Sequence, residues 1–400
     1  MSKLVQMGLS FDDVLLVPQR TSAKSRKDVD ISSSLTRRTR LAVPILSANV
    51  PWCTDARMAI AMGQLGALGV LHRMLPIEDQ VAAVRQVKSQ PVDALMTPKA
   101  TLARDGRLLV AAAIGAKPEA LNRARALVDA GADILVLDVA HGHSDYVIDT
   151  LSRLKDRFAD VEVIAGNVAT AHATSDLIEA GADAIKVGIG PGGICTTRMV
   201  AGAGVPQLTA IFDCVAVARD HGIPIIADGG IRRSGDLAKA IGAGASTAML
   251  GSMLAGAEES AARLIEKDGR RYKISTGFVS LGVDLTIRRQ QGDSILEDEI
   301  ADYEPEGMEA TFEYRGPLAH VIRSLVNGLR SGLSYCGAMT MEDMQHKAQF
   351  TQITGAGMAE SRPHATELVP QIQPNYRERF LHEASSRQPD RALSAQEMSS

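Results

Sequence analysis

Short runs of aliphatic and β-branched residues alternate with amphipathic stretches along most of the chain, and the alternation repeats eight times. The apolar runs predict strands at residues 44–50, 67–72, 108–114, 134–139, 161–165, 184–188, 224–227 and 247–250. Between them, apolar positions three or four apart predict helices over 118–130, 146–157, 175–180, 208–220 and 234–241. Gly131, Gly181 and Gly242 stand where left-handed helix C-caps are expected. A strand-helix unit repeated this often predicts an α/β fold of the (β/α)8 or TIM barrel kind, with an open doubly wound sheet as the alternative.

In such a barrel the chemistry sits on loops that follow the carboxyl ends of the strands. The polar and glycine-rich groups of this chain fall there. Asn49 follows the first expected strand, His72-Arg73 the second, Asp138 with His141-Gly142-His143-Ser144 the fourth, and Asn167 the fifth. Asp228-Gly229-Gly230 and Gly251-Ser252 follow the seventh and eighth. Two further regions frame the barrel. Residues 88–106 read as a loop, and residues 268–315 are charged and weakly periodic, as expected of a mobile active-site flap. A helical pattern resumes over 316–337, so the catalytic barrel is expected to comprise residues 1–267 and 316–365, with a disordered polar tail at 383–400.

The richest local signal follows the sixth run: Val187-Gly188-Ile189-Gly190-Pro191-Gly192-Gly193-Ile194-Cys195-Thr196-Thr197-Arg198. Its glycines let amides and carbonyls turn toward a ligand or ion, and Cys195, Thr196 and Thr197 offer a thiol and two hydroxyls. That pattern predicts a nucleophile's seat, against the alternative of an inert buried thiol. Composition narrows the field. A formal charge of -4 with 45% hydrophobic residues gives no pull toward nucleic acid or an anionic membrane. The patch Arg37-Arg38-Thr39-Arg40 reads as a solvated face. Four cysteines without CxxC pairs argue against a zinc site or a disulfide framework and fit a reducing compartment. With no leader pattern and no uncharged apolar run of ~18 residues, a cytoplasmic protein is expected.

Several long motifs together resemble the IMP dehydrogenase / GMP reductase family: Leu9-Ser10-Phe11-Asp12-Asp13-Val14-Leu15-Leu16, the cysteine loop, Asp228-Gly229-Gly230-Ile231-Arg232-Arg233-Ser234-Gly235-Asp236, Arg330-Ser331-Gly332-Leu333-Ser334-Tyr335-Cys336-Gly337-Ala338 and Glu360-Ser361-Arg362-Pro363-His364. The resemblance covers nearly everything but the tail, although the regulatory CBS insertion of many family members is replaced by the 88–106 loop. It implies a purine nucleotide substrate, NAD or NADP as cofactor, and a covalent thioimidate between Cys195 and purine C2. Thr197 and the flap residue Glu306 are implied as the general acid/base pair. Asn167, Gly193, Asp228, Gly230, Gly251 and Ser252, with Ser275, Gly277 and Phe278 of the flap, are implied to hold the nucleotide. Asp138, Val139, Ala140 and His141 are the implied cofactor side. A potassium ion on carbonyls of Gly190, Gly192 and Cys195, completed by Glu360, Ser361 and Arg362 of a neighbouring subunit, implies a homotetramer.

The direction of the reaction is mixed in the sequence. Gln291-Gly292 stands where the family's dehydrogenases carry an Arg-Tyr pair that activates water, with Arg288 and Arg289 close by. Asp138-Val139-Ala140 resembles the reductases, whereas His141-Gly142-His143-Ser144 resembles the dehydrogenases. Losing the hydrolytic arginine harms a dehydrogenase far more than a reductase, which favours reductive deamination of GMP or of a modified purine nucleotide. Substrate residues depart as well: Gly193 and Ser275 replace a serine and a tyrosine that bind phosphate, and Phe278-Val279 replaces a methionine and a glycine that bracket the purine. Val50-Pro51-Trp52 replaces Met-Asp-Thr, and Trp52 is expected either to stack on a base or nicotinamide or to pack in the core. Conversion of IMP to XMP, an FMN-dependent barrel and a non-catalytic nucleotide binder remain alternatives.

Overall fold

The computed structural model describes residues 7–275 and 308–363. Eight parallel strands close into a barrel in chain order: β1 (Ile45–Ser47), β2 (Leu68–Leu71), β3 (Ala111–Ile114), β4 (Ile134–Asp138), β5 (Glu162–Val168), β6 (Ala184–Val187), β7 (Ile225–Asp228) and β8 (Thr247–Leu250). The helices between them are α1 (Ala56–Gln64), α2 (Ile77–Lys88), α3 (Ala120–Asp129), α4 (Asp145–Arg157), α5 (Ala171–Glu179), α6 (Gln207–Ala218) and α7 (Ser234–Gly242), and α8 (Leu318–Tyr335) follows the last strand. All eight expected strands form, which bears out the barrel and excludes the open sheet.

Strand parity divides the core in two. Leu46, Leu68, Val70, Ala111, Ala113, Ile134, Val136, Ile164, Ala184, Ile226 and Met249 form one buried cluster inside the barrel. Their neighbours, among them Ile45, Leu71, Ala112, Leu135, Leu137, Val163, Ile185, Val187, Ile225 and Leu250, join the larger cluster under the helices. Leu35 and Leu41 belong to the inner cluster and come from the hairpin Ser33–Ser34 and Arg40–Leu41, so that hairpin plugs the amino-terminal end. Its turn is the basic patch, and the side chains of Arg37, Arg38 and Arg40 are exposed as expected, while the backbone beneath them does a second job. The Arg38 amide donates to Glu162 at 2.9 Å and the Thr39 hydroxyl at 2.7 Å, holding a nearly buried carboxylate at the foot of β5.

Two helix ends fit expectation and one is shifted. Gly131 and Gly181 have positive φ, 106° and 98°, but the third such glycine is Gly244 at 107°. Gly242 lies inside α7 for a packing reason: a Cβ there would meet Ala348 at 3.0 Å and Leu16 at 3.1 Å.

The segment expected to be irregular begins and ends as sheet. Strands β9 (Arg263–Lys267), β10 (Arg270–Ser275) and β11 (Ala310–Glu313) form an antiparallel sheet in that order, and residue 268 opens the β9-β10 turn. The interior of the expected flap, 276–307, lies outside the described residues. Where the chain re-enters, the Met308 amide donates to the Ile194 carbonyl at 2.9 Å, joining the returning strand to the cysteine loop.

The chain divides into two compact units, Met1–Gln352 and Ile353–Ser400. In the second unit, the helix Gly355–Glu360 is capped by Thr354, whose hydroxyl accepts from the Gly357 amide at 3.2 Å. The expected tail at 383–400 lies outside the described residues. No helix among the described residues is long and apolar enough to cross a membrane.

Candidate active site

The inner face of the barrel changes character at its carboxyl end. The parity that buries Ile134 and Val136 also turns Asp138 inward; Ala184 is followed by Lys186, and Ile226 by Asp228. Three charged side chains therefore meet at one level. Lys186 Nζ lies 2.7 Å from Asp138 Oδ1 and 2.7 Å from Asp228 Oδ2, and it also contacts Asn167 Oδ1. Asn167 Nδ2 donates to Asp228 Oδ2 at 2.9 Å and to the Gly188 carbonyl at 2.8 Å, while Asn49 Nδ2 donates to Asp138 Oδ2 at 2.9 Å. Lys186 is only 2% exposed. A buried ammonium is stable there because two carboxylates and an amide oxygen replace its water. Burial alone would depress the Lys186 ammonium, but Asp138 and Asp228 outweigh it and hold the group above its ordinary range. Burial likewise pushes the Asp138 carboxyl up, and the attraction of Lys186 and Arg73 with the Asn49 hydrogen bond brings it below the usual carboxylate value.

Above this cluster opens a cavity of about 220 Å³. Its walls contain Asp138 at the end of β4 with Val139 and Ala140 after it, Asn167 from β5, the cysteine loop, Asp228 at the end of β7 with Gly230 beyond, and Gly251 and Ser252 after β8. Cys195 and Thr197 line it together, with Sγ 3.2 Å from Oγ1. The glycine loop is held from below by Arg198, which donates to the carbonyls of Ile189 at 3.1 Å and Val205 at 2.6 Å. Gly188 lets β6 run close to β7, since its φ is 149° and a Cβ would fall 2.0 Å from the Asp228 carbonyl oxygen.

The remaining thiols differ in kind. Cys53, Cys214 and Cys336 are buried, and burial pushes the first two up to about 12 and raises the third. Cys195 is the cysteine that lines the cavity.

Most expected site residues of the barrel therefore converge. Gly190, Gly192 and Gly193 are on the wall, and a side chain on Gly193 would sit 3.5 Å from Ser252 Oγ, so the hydroxyl at that spot is Ser252's. Two expected residues stand away from this wall. Ser275 is fully buried in the β9-β10-β11 sheet, with its hydroxyl 3.4 Å from the Ala310 carbonyl, and it is not on the cavity wall. His141 is exposed on the rim and off the wall as well. Glu306, Gly277 and Phe278 lie outside the described residues, as do Arg288, Arg289 and Gln291. Glu360, Ser361 and Arg362 are exposed at the end of the second unit's helix, where the Ser361 hydroxyl donates to the Gly357 carbonyl at 2.8 Å. Trp52 packs in the core, 7% exposed with its ring stacked on Phe312 at 6.0 Å, and its edge borders the cavity.

His72, at the end of β2, has a structural role. The Met74 amide donates to its Nδ1 at 3.2 Å, and burial depresses the imidazole from 6.5 to about 4, against a smaller upward pull from Asp55. Its folded value lies below its unfolded one, so its contribution is intact above pH 6.5 and is lost as pH falls toward 4. Wild type should lose roughly 2 kcal/mol more than His72→Phe between pH 7.5 and pH 5. Urea unfolding at the two pH values checks this; equal losses would show that His72 takes up its proton in the folded state.

The chain as a whole matches a known family. The model of the IMP dehydrogenase / GMP reductase domain matches residues 8–364. The chain belongs to that family. Among its relatives, a GMP reductase of Leishmania donovani is 38% identical over 476 aligned positions, covering 89% of this chain and 96% of the relative. An IMP dehydrogenase of Aquifex aeolicus is 39% identical, covering 94% of this chain and 98% of its own. Both alignments are longer than the chain itself, so these relatives hold residues with no counterpart here. Among solved structures, a variant GMP reductase from Trypanosoma brucei in complex with guanosine 5'-monophosphate is 35% identical with a TM-score of 0.85, covering 91% of this chain and 99% of that one. The family is one of oxidoreductases that use NAD(P), so the flavin barrel and the non-catalytic binder give way to a nicotinamide-dependent oxidoreductase of purine nucleotide metabolism.

Proposed function

We propose that this protein is a reductive deaminase that removes the C2 amino group of GMP, or of a modified guanine nucleotide, through a covalent bond to Cys195. The observation that carries the reading is the Cys195 thiol 3.2 Å from the Thr197 hydroxyl on the wall of a cavity that Asp228 also lines. Nucleophile and hydrogen-bonding partner are thus within reach of one ligand atom. The lean toward reduction comes from Gln291-Gly292 in place of a water-activating Arg-Tyr pair, and from Asp138-Val139-Ala140.

Asp228 has one carboxylate oxygen engaged by Lys186 and Asn167, which aims the other at the two ribose hydroxyls. Amides of Gly230, Gly251 and Ser252 receive the 5'-phosphate, the usual work of the last two barrel loops. Thiolate addition to C2 forms the C–S bond, and protonation of the amino group lets ammonia leave with the C–N pair. The bound nicotinamide dinucleotide, NAD(H) or NADP(H), supplies a hydride to C2. Departure of sulfur then regenerates the thiolate and leaves hydrogen where nitrogen was. Thr197 and Glu306 move the protons. Asp138, Val139 and Ala140 form the wall against which the nicotinamide packs. Gly190, Gly192 and Cys195 offer carbonyl oxygens, the donor type a hard cation such as potassium takes; with Glu360, Ser361 and Arg362 of an adjacent copy they would tie a tetramer together.

A paired assay at 340 nm tests the direction. Absorbance should fall with GMP and NADPH or NADH and stay flat with IMP and NAD. NADH formed from IMP, with no reaction of GMP, would make the protein a dehydrogenase in which Arg288 or Arg289 activates water.

A further inference from the structure

Outside the cavity, one cluster of ligating side chains among the described residues has no part in the chemistry above. His143, in the loop between β4 and α4, and His172 and Asp176, one turn apart on α5, bring two imidazole nitrogens and a carboxylate oxygen within 4.8 Å of one another. His143 Nε2 lies 2.7 Å and His172 Nδ1 3.3 Å from the same atom, Asp176 Oδ2. The rings of His143 and His172 are 5.3 Å apart and tilted by 45° rather than stacked, so their nitrogens converge on the oxygen. We propose that these residues form a divalent transition-metal site of the zinc type on the rim of the barrel mouth.

The donor set carries the argument. Two imidazoles and one carboxylate suit a borderline ion such as Zn²⁺ or Co²⁺, whereas Mg²⁺ and Ca²⁺ take oxygen shells. Ligand atoms bonded to one tetrahedral ion at about 2.0–2.2 Å stand about 3.3 Å apart. The His172–Asp176 separation already has that value, and the His143–Asp176 pair needs to open by less than an ångström. The helix supplies two ligands at the i, i+4 spacing that puts them on one face. The loop supplies the third, leaving at least one position for water. Side-chain exposure of 31%, 79% and 29% for His143, His172 and Asp176 gives an ion an entry path.

The site's location gives it a consequence. His143 is three residues beyond Ala140, the last wall residue of that loop, and α5 follows the strand that carries Asn167. A metal would therefore fasten the cofactor-side loop to the next helix. The proposal stands apart from the direction of the reaction, because its test reads metal binding alone.

The experiment uses the full chain carrying Cys195→Ala, which removes the cavity thiol as a competing ligand. Co²⁺ is titrated while the visible d–d bands are followed, and Zn²⁺ is then added in competition with a chromophoric chelator. One equivalent per chain is expected, displaced by Zn²⁺ and unaffected by millimolar Mg²⁺, with slower hydrogen exchange over residues 141–146. Adding His172→Ala, or separately Asp176→Asn, should weaken binding at least tenfold. Because the His172 ring is largely exposed, its removal leaves the fold intact. Absence of binding, or binding unchanged by His172→Ala, would overturn the proposal.

Discussion

Replacing Cys195 by alanine should abolish turnover in either direction, by at least about 10,000-fold, while nucleotide still binds. In the proposed reaction the thiol makes and breaks the bond to C2, and among the described residues no other thiol lines the cavity. Sγ makes its hydrogen bond to Thr197 Oγ1 at 3.2 Å, so the substitution removes little that holds the loop. The loop's anchors are elsewhere, in Arg198 and its two carbonyl partners. Steady-state rates and equilibrium nucleotide binding, measured on the same preparation, check the separation. Residual turnover within tenfold of wild type would remove the covalent route.

The second large effect should come from Lys186→Met, which leaves Asp138 and Asp228 facing each other without their shared cation. Breaking a buried ion pair from one side costs about 3–5 kcal/mol, and here one side chain serves two carboxylates. The expected outcome is a fall of several degrees in Tm together with at least a tenfold loss of nucleotide affinity, because Asp228 loses the partner that orients it. Acidity gives a signature that simple loss of packing would lack. Lys186 keeps the Asp138 carboxyl below its ordinary value, so in wild type this stability is present above the usual carboxylate range and is lost as pH falls through it. Without the lysine, burial and the neighbouring carboxylate raise the group, and the folded state suffers above the unfolded carboxylate pKa but recovers as the group is protonated. The stability gap between variant and wild type should therefore narrow from pH 7 to pH 4.5. Unfolding curves at three pH values decide it, and a gap that stays constant would assign Lys186 a packing role only.

The barrel was legible because each strand is a short apolar run bounded by turn residues, a signal that survives in a single sequence. The mouth was legible for a related reason: polar groups placed after each run have no place in a core. Lys186 escaped notice since one lysine inside Ala184–Val187 looks like an outward-facing strand position. Only the parity of the closed barrel shows that it points inward, opposite Asp138 and Asp228. The surroundings of Ser275 were hidden for the converse reason, as strand pairing with Ala310 buries a hydroxyl for which motif position gives no depth. The hairpin of β9 and β10 did have a signal in Asp268-Gly269 between two runs of strand-forming residues, overlooked because the surrounding charge suggested a loop. The basic turn at Arg38-Thr39 met a buried carboxylate 124 residues away in sequence, a partner that no local pattern names.

Reductive deamination makes ammonia, and dehydrogenation instead puts an oxygen from water on C2. Ammonia released from GMP, measured against cofactor oxidised over the same interval, is therefore the most direct test of the central claim. One ammonia per cofactor, abolished by Cys195→Ala, is the result this account predicts. Cofactor reduced on IMP, with ¹⁸O from labelled water appearing in the purine and no ammonia from GMP, would contradict it.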